Sequence, residues 1–190
     1  GVPLHIHYLW LVFILLTSIT AFQVSPLHGC FALILTGPVL FTTVVIHEMG
    51  HAAAALRLGG QVQRILLWPL GGLAFISFVD ENSPKADAIV AIAGPLTHIP
   101  QVMVWGLLMY LTTGQVASSW DLGWGWNFWR AMCAGAIAIQ FTLFFFNLIP
   151  AYPLDGGRLF RALLLHMKFD KHVTCLVVAG VGSLFGWSFV

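Results

Sequence analysis

The stretch Val45-Ile46-His47-Glu48-Met49-Gly50-His51 decides how this chain is read. It interrupts an apolar run from Cys30 to Leu58 with two imidazoles and a carboxylate. On a helix, positions four apart are separated by about 40° of rotation and about 6 Å of rise, so His47 and His51 share a face and can hold one metal ion. Glu48 sits between them in sequence, placed to act on water at the metal without itself being a ligand. A pair of helix histidines satisfied by hydrogen bonds in a membrane bundle is the bland alternative. The chain has only two Glu, Glu48 and Glu81, so the full pattern is specific by motif standards.

The solvent around that stretch follows from composition. Hydrophobic residues make up 59% of the 190 positions and charged residues 8%, with a mean hydropathy of +0.90. A soluble domain carries about 25% charged residues, so this chain has no ordinary aqueous surface. A formal net charge of +1 offers no field for nucleic acid. The three cysteines, Cys30, Cys133 and Cys175, are far apart and form no Cys-x-x-Cys pair, which argues against a thiolate metal site. In hydrocarbon, ionisable groups are costly, and the default reading of His47, Glu48 and His51 is functional.

Outward from the motif, the pattern predicts an all-α polytopic membrane protein, with about five to six transmembrane helices, treated as one domain over residues 1–190. After a partly polar lead-in containing Pro3, His5 and His7, a first span runs from Tyr8 to Val24, and Ser25 to Gly29 reads as a turn-rich connection. The second span covers Cys30 to Leu58. Between Gln61 and Phe78, two short apolar runs around Pro69-Leu70-Gly71-Gly72 predict a small β-hairpin or sheet inserted between the second and third spans, with a plain interfacial loop as the alternative. Ser83-Pro84 has the form of an N-cap followed by proline at the first helical position. A third span over Lys85 to Leu111 follows, bent at Gly94-Pro95. Trp120, Trp124, Trp126 and Trp129 form an aromatic interfacial belt before a fourth span to Leu148. A short helix from Arg158 to Lys168 and a last span from Lys171 complete the chain.

Lys and Arg fix an expected orientation. Arg57, Arg64 and Lys85 lie between the second and third spans, and Arg158 and Arg161 follow the fourth, while the opposite loops carry none. By the positive-inside rule, the amino terminus, the hairpin and the Asp155 loop face the cytosol. A catalytic zinc needs a third protein ligand and leaves a fourth position open. Asp80, Glu81 and Asp87 read as solvated charges, Asp121 lies on the far side, and Asp170 sits in a polar connector. Asp155 stands apart, because Pro150 and Pro153 stiffen the chain before it and Gly156-Gly157 allow close approach after it. An ordinary Asp-Gly turn is the alternative for that segment. Asn147 can offer an amide to an oxyanion, or cap broken helix backbone. His5 and His7 read as headgroup-level residues, His28 as an exposed loop residue, and His166 and His172 as interfacial.

Taken in order, His47-Glu48-Met49-Gly50-His51, Pro69-Leu70-Gly71-Gly72, Ala93-Gly94-Pro95-Leu96, Asn147-Leu148-Ile149-Pro150 and Pro153-Leu154-Asp155-Gly156-Gly157-Arg158 resemble the site-2 protease family of intramembrane zinc metalloproteases. The resemblance covers nearly the whole chain. It implies one Zn2+ bound by His47, His51 and Asp155, Glu48 as general base and acid, and Asn147 assisting the reaction. It also implies a transmembrane protein segment as substrate, cut within the lipid bilayer in regulated intramembrane proteolysis. Where the family often has Asn after the Gly-Pro of the third span, this chain has His98. His98 is read first as a structural replacement, with a gate residue or a further neighbour of the metal site as alternatives. The competing function is a non-catalytic zinc-binding membrane sensor, or a protease homologue that binds partners without cutting.

Overall fold

A computed structural model describes residues 2–68, 71–77, 83–114 and 128–187, with side chains to 183. Strand β1 (Leu4–Ile6) leads into helix α1 (Leu9–Val24) and then α2 (Pro26–Ile34). A π-helical segment, Leu35–Val39, joins α2 to α3 (Leu40–Arg57). Strands β2 (Gln61–Trp68) and β3 (Gly71–Ser77) follow, then α4 (Pro84–Leu96), α5 (His98–Thr113), α6 (Phe128–Asn147), α7 (Asp155–His166) and α8 (Lys171–Trp187).

Among the described residues, three continuous helical stretches reach membrane-crossing length and apolarity: Pro26–Arg57, Pro84–Thr113 and Phe128–Asn147. Leu9–Val24 is apolar but shorter, at 16 residues, and α8 has 17. The side chains are sorted as a bilayer requires. Leu11, Met103, Leu111 and Leu176 are more than 60% exposed, whereas His47, Glu48, His51, His98, Gln140 and Asp155 are all buried. Apolar outside and polar inside is the arrangement expected of a bundle facing lipid.

Several boundaries differ from the sequence reading for local physical reasons. Ser25 is not part of a turn but the N-cap of α2, its Oγ accepting the His28 N–H, with Pro26 opening the helix. His28 is therefore a half-buried helix residue, its Nδ1 2.6 Å from Ser25 Oγ, rather than an exposed loop residue. The second span starts earlier and stays continuous through Pro38, which lacks an N–H to donate. The wider π winding lies across that point. Ser83 caps α4 as expected, accepting the Ala86 N–H at 3.3 Å. Near the expected Gly94-Pro95 bend, α4 and α5 divide at Thr97, whose backbone keeps helical dihedrals, so the stretch from Pro84 to Thr113 stays continuous. Helix α7 begins at Asp155, three residues before the expected start. The Pro69-Leu70 turn, Asp80, Glu81, Asp121, and Trp120, Trp124 and Trp126 of the aromatic belt lie outside the described residues.

The hairpin forms, and it is one part of a three-stranded sheet ordered β1-β2-β3. β3 runs antiparallel to β2, with Trp68 opposite Gly71 and Gln61 opposite Ser77. β1 adds in parallel on the other side, Leu4 opposite Ile65 and Ile6 opposite Leu67. The lead-in is thus a strand, and His7 extends the pairing by donating its N–H to the Leu67 carbonyl at 2.8 Å. Trp10, Val44, Ala52, Ile65 and Leu67 bury together, seating the sheet on α1 and α3. That contact sets β3 beside the His47–His51 turn.

Candidate metal centre

Helix α3 delivers His47, Glu48 and His51 to the bundle interior, exposed by only 6%, 3% and 4%. Asp155 comes from the first turn of α7 and is 8% exposed. His47 Nε2 and His51 Nε2 are 3.0 Å apart, and each lies 3.2 Å from Asp155 Oδ2. Four-coordinate zinc, with ligand bonds near 2.0–2.1 Å, separates its donor atoms by about 3.3 Å. Two imidazole nitrogens and a carboxylate oxygen at this spacing are a donor set that fits one zinc ion. As a ligand Asp155 would be anionic, its Oδ2 turned toward both imidazoles.

Close backbone approach makes this geometry possible. Gly50 of α3 faces the Ala93 carbonyl and the Thr97 methyl, and a Cβ there would collide with both, so α3 and α4 approach closely at this point. Gly94 of α4 lies against the His51 and His47 rings, where a Cβ would collide with both. The His51 ring is oriented by one bond, Nδ1 donating to the Val90 carbonyl of α4 at 2.7 Å, which leaves Nε2 free for a metal. Gly156 and Gly157 are pressed against the backbone at Leu148, Ile149 and Ala151, so any side chain there would push α7 away. Arg158 ties α7 to α4, donating from Nη2 and Nε to Asp87 Oδ1 at 2.6 and 3.1 Å. Arg161 adds a bond to Oδ2 at 3.4 Å. Asp87 is therefore an ion-paired strut, not the solvated charge its sequence position implied.

A cavity of about 1010 Å³ opens beside the centre, and His47, Glu48, His51, Gly72, Asn147 and Asp155 all line it. Gly72 of β3 packs directly over the Glu48 carboxylate. Asn147 ends α6 on the cavity wall. His98 does not face the open cavity; it is buried behind His47, its Nε2 3.1 Å from His47 Nδ1. His5, exposed on β1, His166 and His172 are not members of the ligand group. Sequence reasoning passed over Thr43, Val90 and Gln140. Gln140 carried a usable signal, as an amide within an apolar span. The Val90 carbonyl carried none, since a main-chain acceptor has no residue signature.

Comparison with known proteins agrees with this geometry. The family model described as Peptidase family M50 matches residues 36–121 and 124–186. A zinc metalloprotease of Methanocaldococcus jannaschii is 29% identical over 183 residues, 96% of this chain and 48% of that protein. Stage IV sporulation protein FB of Bacillus subtilis is 31% identical over 139 residues, 70% of this chain and 40% of its own length. The chain thus spans about half or less of the length of these relatives. The solved structure of the site-2 protease from Methanocaldococcus jannaschii matches with a TM-score of 0.68 at 26% identity, covering 97% of this chain and 77% of that one. An apolar helical bundle, a buried His-His-Asp group and a family match over most of the sequence converge: the chain belongs to peptidase family M50, the site-2 proteases.

Proposed function

We propose that this protein is an intramembrane zinc endopeptidase that hydrolyses peptide bonds within or beside the transmembrane segment of membrane-protein substrates, as a step of regulated proteolysis. The observation that carries the reading is that Glu48 borders the same cavity as His47, His51 and Asp155, although all four are buried among apolar helices. A purely structural metal site has no use for that acid. On insertion scales, an acidic side chain at bilayer depth costs about 2.5–3.5 kcal/mol.

In this mechanism His47, His51 and Asp155 hold the metal. Bound zinc supplies Lewis acidity, which activates water and polarises the scissile carbonyl. Glu48 accepts the proton of the attacking water and returns it to the departing amine. Asn147 directs its side-chain amide to the oxygen on which negative charge develops. A helical substrate conceals its peptide bonds in its own hydrogen bonds, so a segment must unwind first. β2 is paired on both sides, while among the described residues β3 is an edge strand adjoining Glu48, and we assign it the unwound segment by strand addition. Disruption of the β3 edge with undiminished cleavage would remove this step. The Lys and Arg distribution supports access from the cytosolic side.

The test is cleavage of a single-span reporter in liposomes by the full chain and by Glu48→Gln. Both should bind zinc, and the substitution should slow cleavage by about 10²–10⁴-fold. Zinc bound by both with no cutting by either would instead establish a non-catalytic sensor.

A further inference from the structure

Four buried or half-buried polar side chains that the proposed reaction leaves unused, His98, Gln140, Gln101 and Thr43, are linked behind His47. Gln101 of α5 donates its Nε2 to the Thr97 carbonyl at 3.2 Å. A main-chain carbonyl only accepts, so this bond determines which end of the Gln101 amide is which. Its Oε1 is then turned to Gln140 Nε2 of α6, at 3.4 Å, and that same nitrogen donates to Thr43 Oγ1 of α3 at 2.8 Å. Gln140 Oε1 consequently points at His98, 2.6 Å from its Nδ1. Facing an amide oxygen, that nitrogen must carry the proton, which makes His98 Nε2 an acceptor. It lies 3.1 Å from His47 Nδ1, so His47 donates there and presents a bare Nε2 to Asp155 and His51.

His98, Gln140 and Thr43 are exposed by 1%, 0% and 1%. Hydrogen-bonded polar side chains at this depth are retained where they act on something. The other imidazole needs no such line, because the Val90 carbonyl orients His51 directly.

We propose that His98, backed by Gln140 and Gln101, is a positioning relay that fixes the tautomer of His47 and aims its Nε2 into the metal site. The polarity of this ligand is thereby set from the Thr97 carbonyl through side chains of three helices. The inference rests on His47 being a metal ligand, and not on any proteolytic activity. It gives His98 a definite task where the sequence reading offered a structural replacement, a gate or a metal-site neighbour.

The experiment measures zinc affinity of the purified full chain in detergent by competition with a fluorescent chelator, alongside thermal unfolding of the metal-free protein. Gln140→Met and His98→Phe keep the volume of the side chain and remove the relay bond. Each should weaken zinc binding by about 10- to 100-fold, the loss typical of a severed outer partner of a ligating His. The double variant should lose little beyond the larger single loss, since either break disconnects the same line. Gln140→Glu keeps an oxygen facing His98 and should recover most of the affinity. Lowered metal-free unfolding temperatures with unchanged zinc affinity would overturn the relay and leave only packing. Losses that multiply in the double variant would overturn it as well. Failure of the unsubstituted chain to bind zinc would overturn the metal-site reading, and the relay with it.

Discussion

At the scale of single residues, two glycines divide the work of the site. Gly94 gives room to the imidazoles of His51 and His47, and Gly72 gives room to the carboxylate of Glu48. Neither has a positive φ, so alanine is compatible with both backbones and the test is one of space alone. Gly94→Ala should cut zinc affinity and cleavage together, because the added methyl displaces the ligand rings. The change would otherwise favour helix α4 by about 1 kcal/mol, so a loss cannot come from helix propensity. Gly72→Ala should leave zinc stoichiometry at one per chain while cleavage falls by at least about tenfold, through displacement of the acid and base alone. Parallel zinc analysis and reporter cleavage on both variants check the split, and identical losses in the two would refute it. The grouping of His47 and His51 was legible in sequence because His-Glu-x-x-His carries its geometry in its spacing. The space around them was not, since Gly72 and Gly94 have meaning only against helix α3, which neither adjoins in sequence.

At the scale of elements, α7 carries Asp155, the proposed third ligand, and depends on what holds it. Its stiff approach was readable from Pro150, Pro153 and the glycine pair, which is why Asp155 could be singled out. Its strut was not, because the Asp87–Arg158 bond spans 71 residues and leaves no local pattern. The Asp87 and Arg158 side chains are 22% and 27% exposed, so this pair lies between a surface bridge and a buried one. Asp87→Ala should therefore cost about 1–2 kcal/mol, chiefly by leaving two guanidinium groups beside each other. We expect a lower unfolding temperature and a weakened zinc affinity, with the His47 and His51 side of the centre intact. Arg161→Ala, which removes only the 3.4 Å bond, should do less. Equal unfolding temperatures for Asp87→Ala and the unsubstituted chain would show that backbone packing at Gly156 and Gly157 positions α7 unaided.

For the whole molecule, composition was enough to establish the class, because 8% charge leaves no surface for water. It did not reveal the sheet's third strand: β1 is three residues long and finds its partner some sixty positions away, beyond the reach of any local pattern. In the proposed function that strand matters because it occupies one side of β2 and, among the described residues, leaves β3 with an open edge beside Glu48. A substrate can use this edge only as an extended chain, whereas in lipid its own helix satisfies every peptide group. If unwinding lies on the path to cleavage, helix stability in the substrate becomes part of the barrier. Replacing one leucine by glycine near the cut lowers helix stability by about 1 kcal/mol, equivalent to about a fivefold change in an equilibrium constant. A single-span reporter with that replacement should show kcat/KM raised by about fivefold at one glycine, and by more at two. The zinc affinity of the enzyme would be untouched. Reporter cleavage in liposomes, compared at equal substrate density, makes the measurement. A rate indifferent to glycine content would mean that the segment arrives at Glu48 already unwound, and the cost would then have been met before the substrate reached the β3 edge.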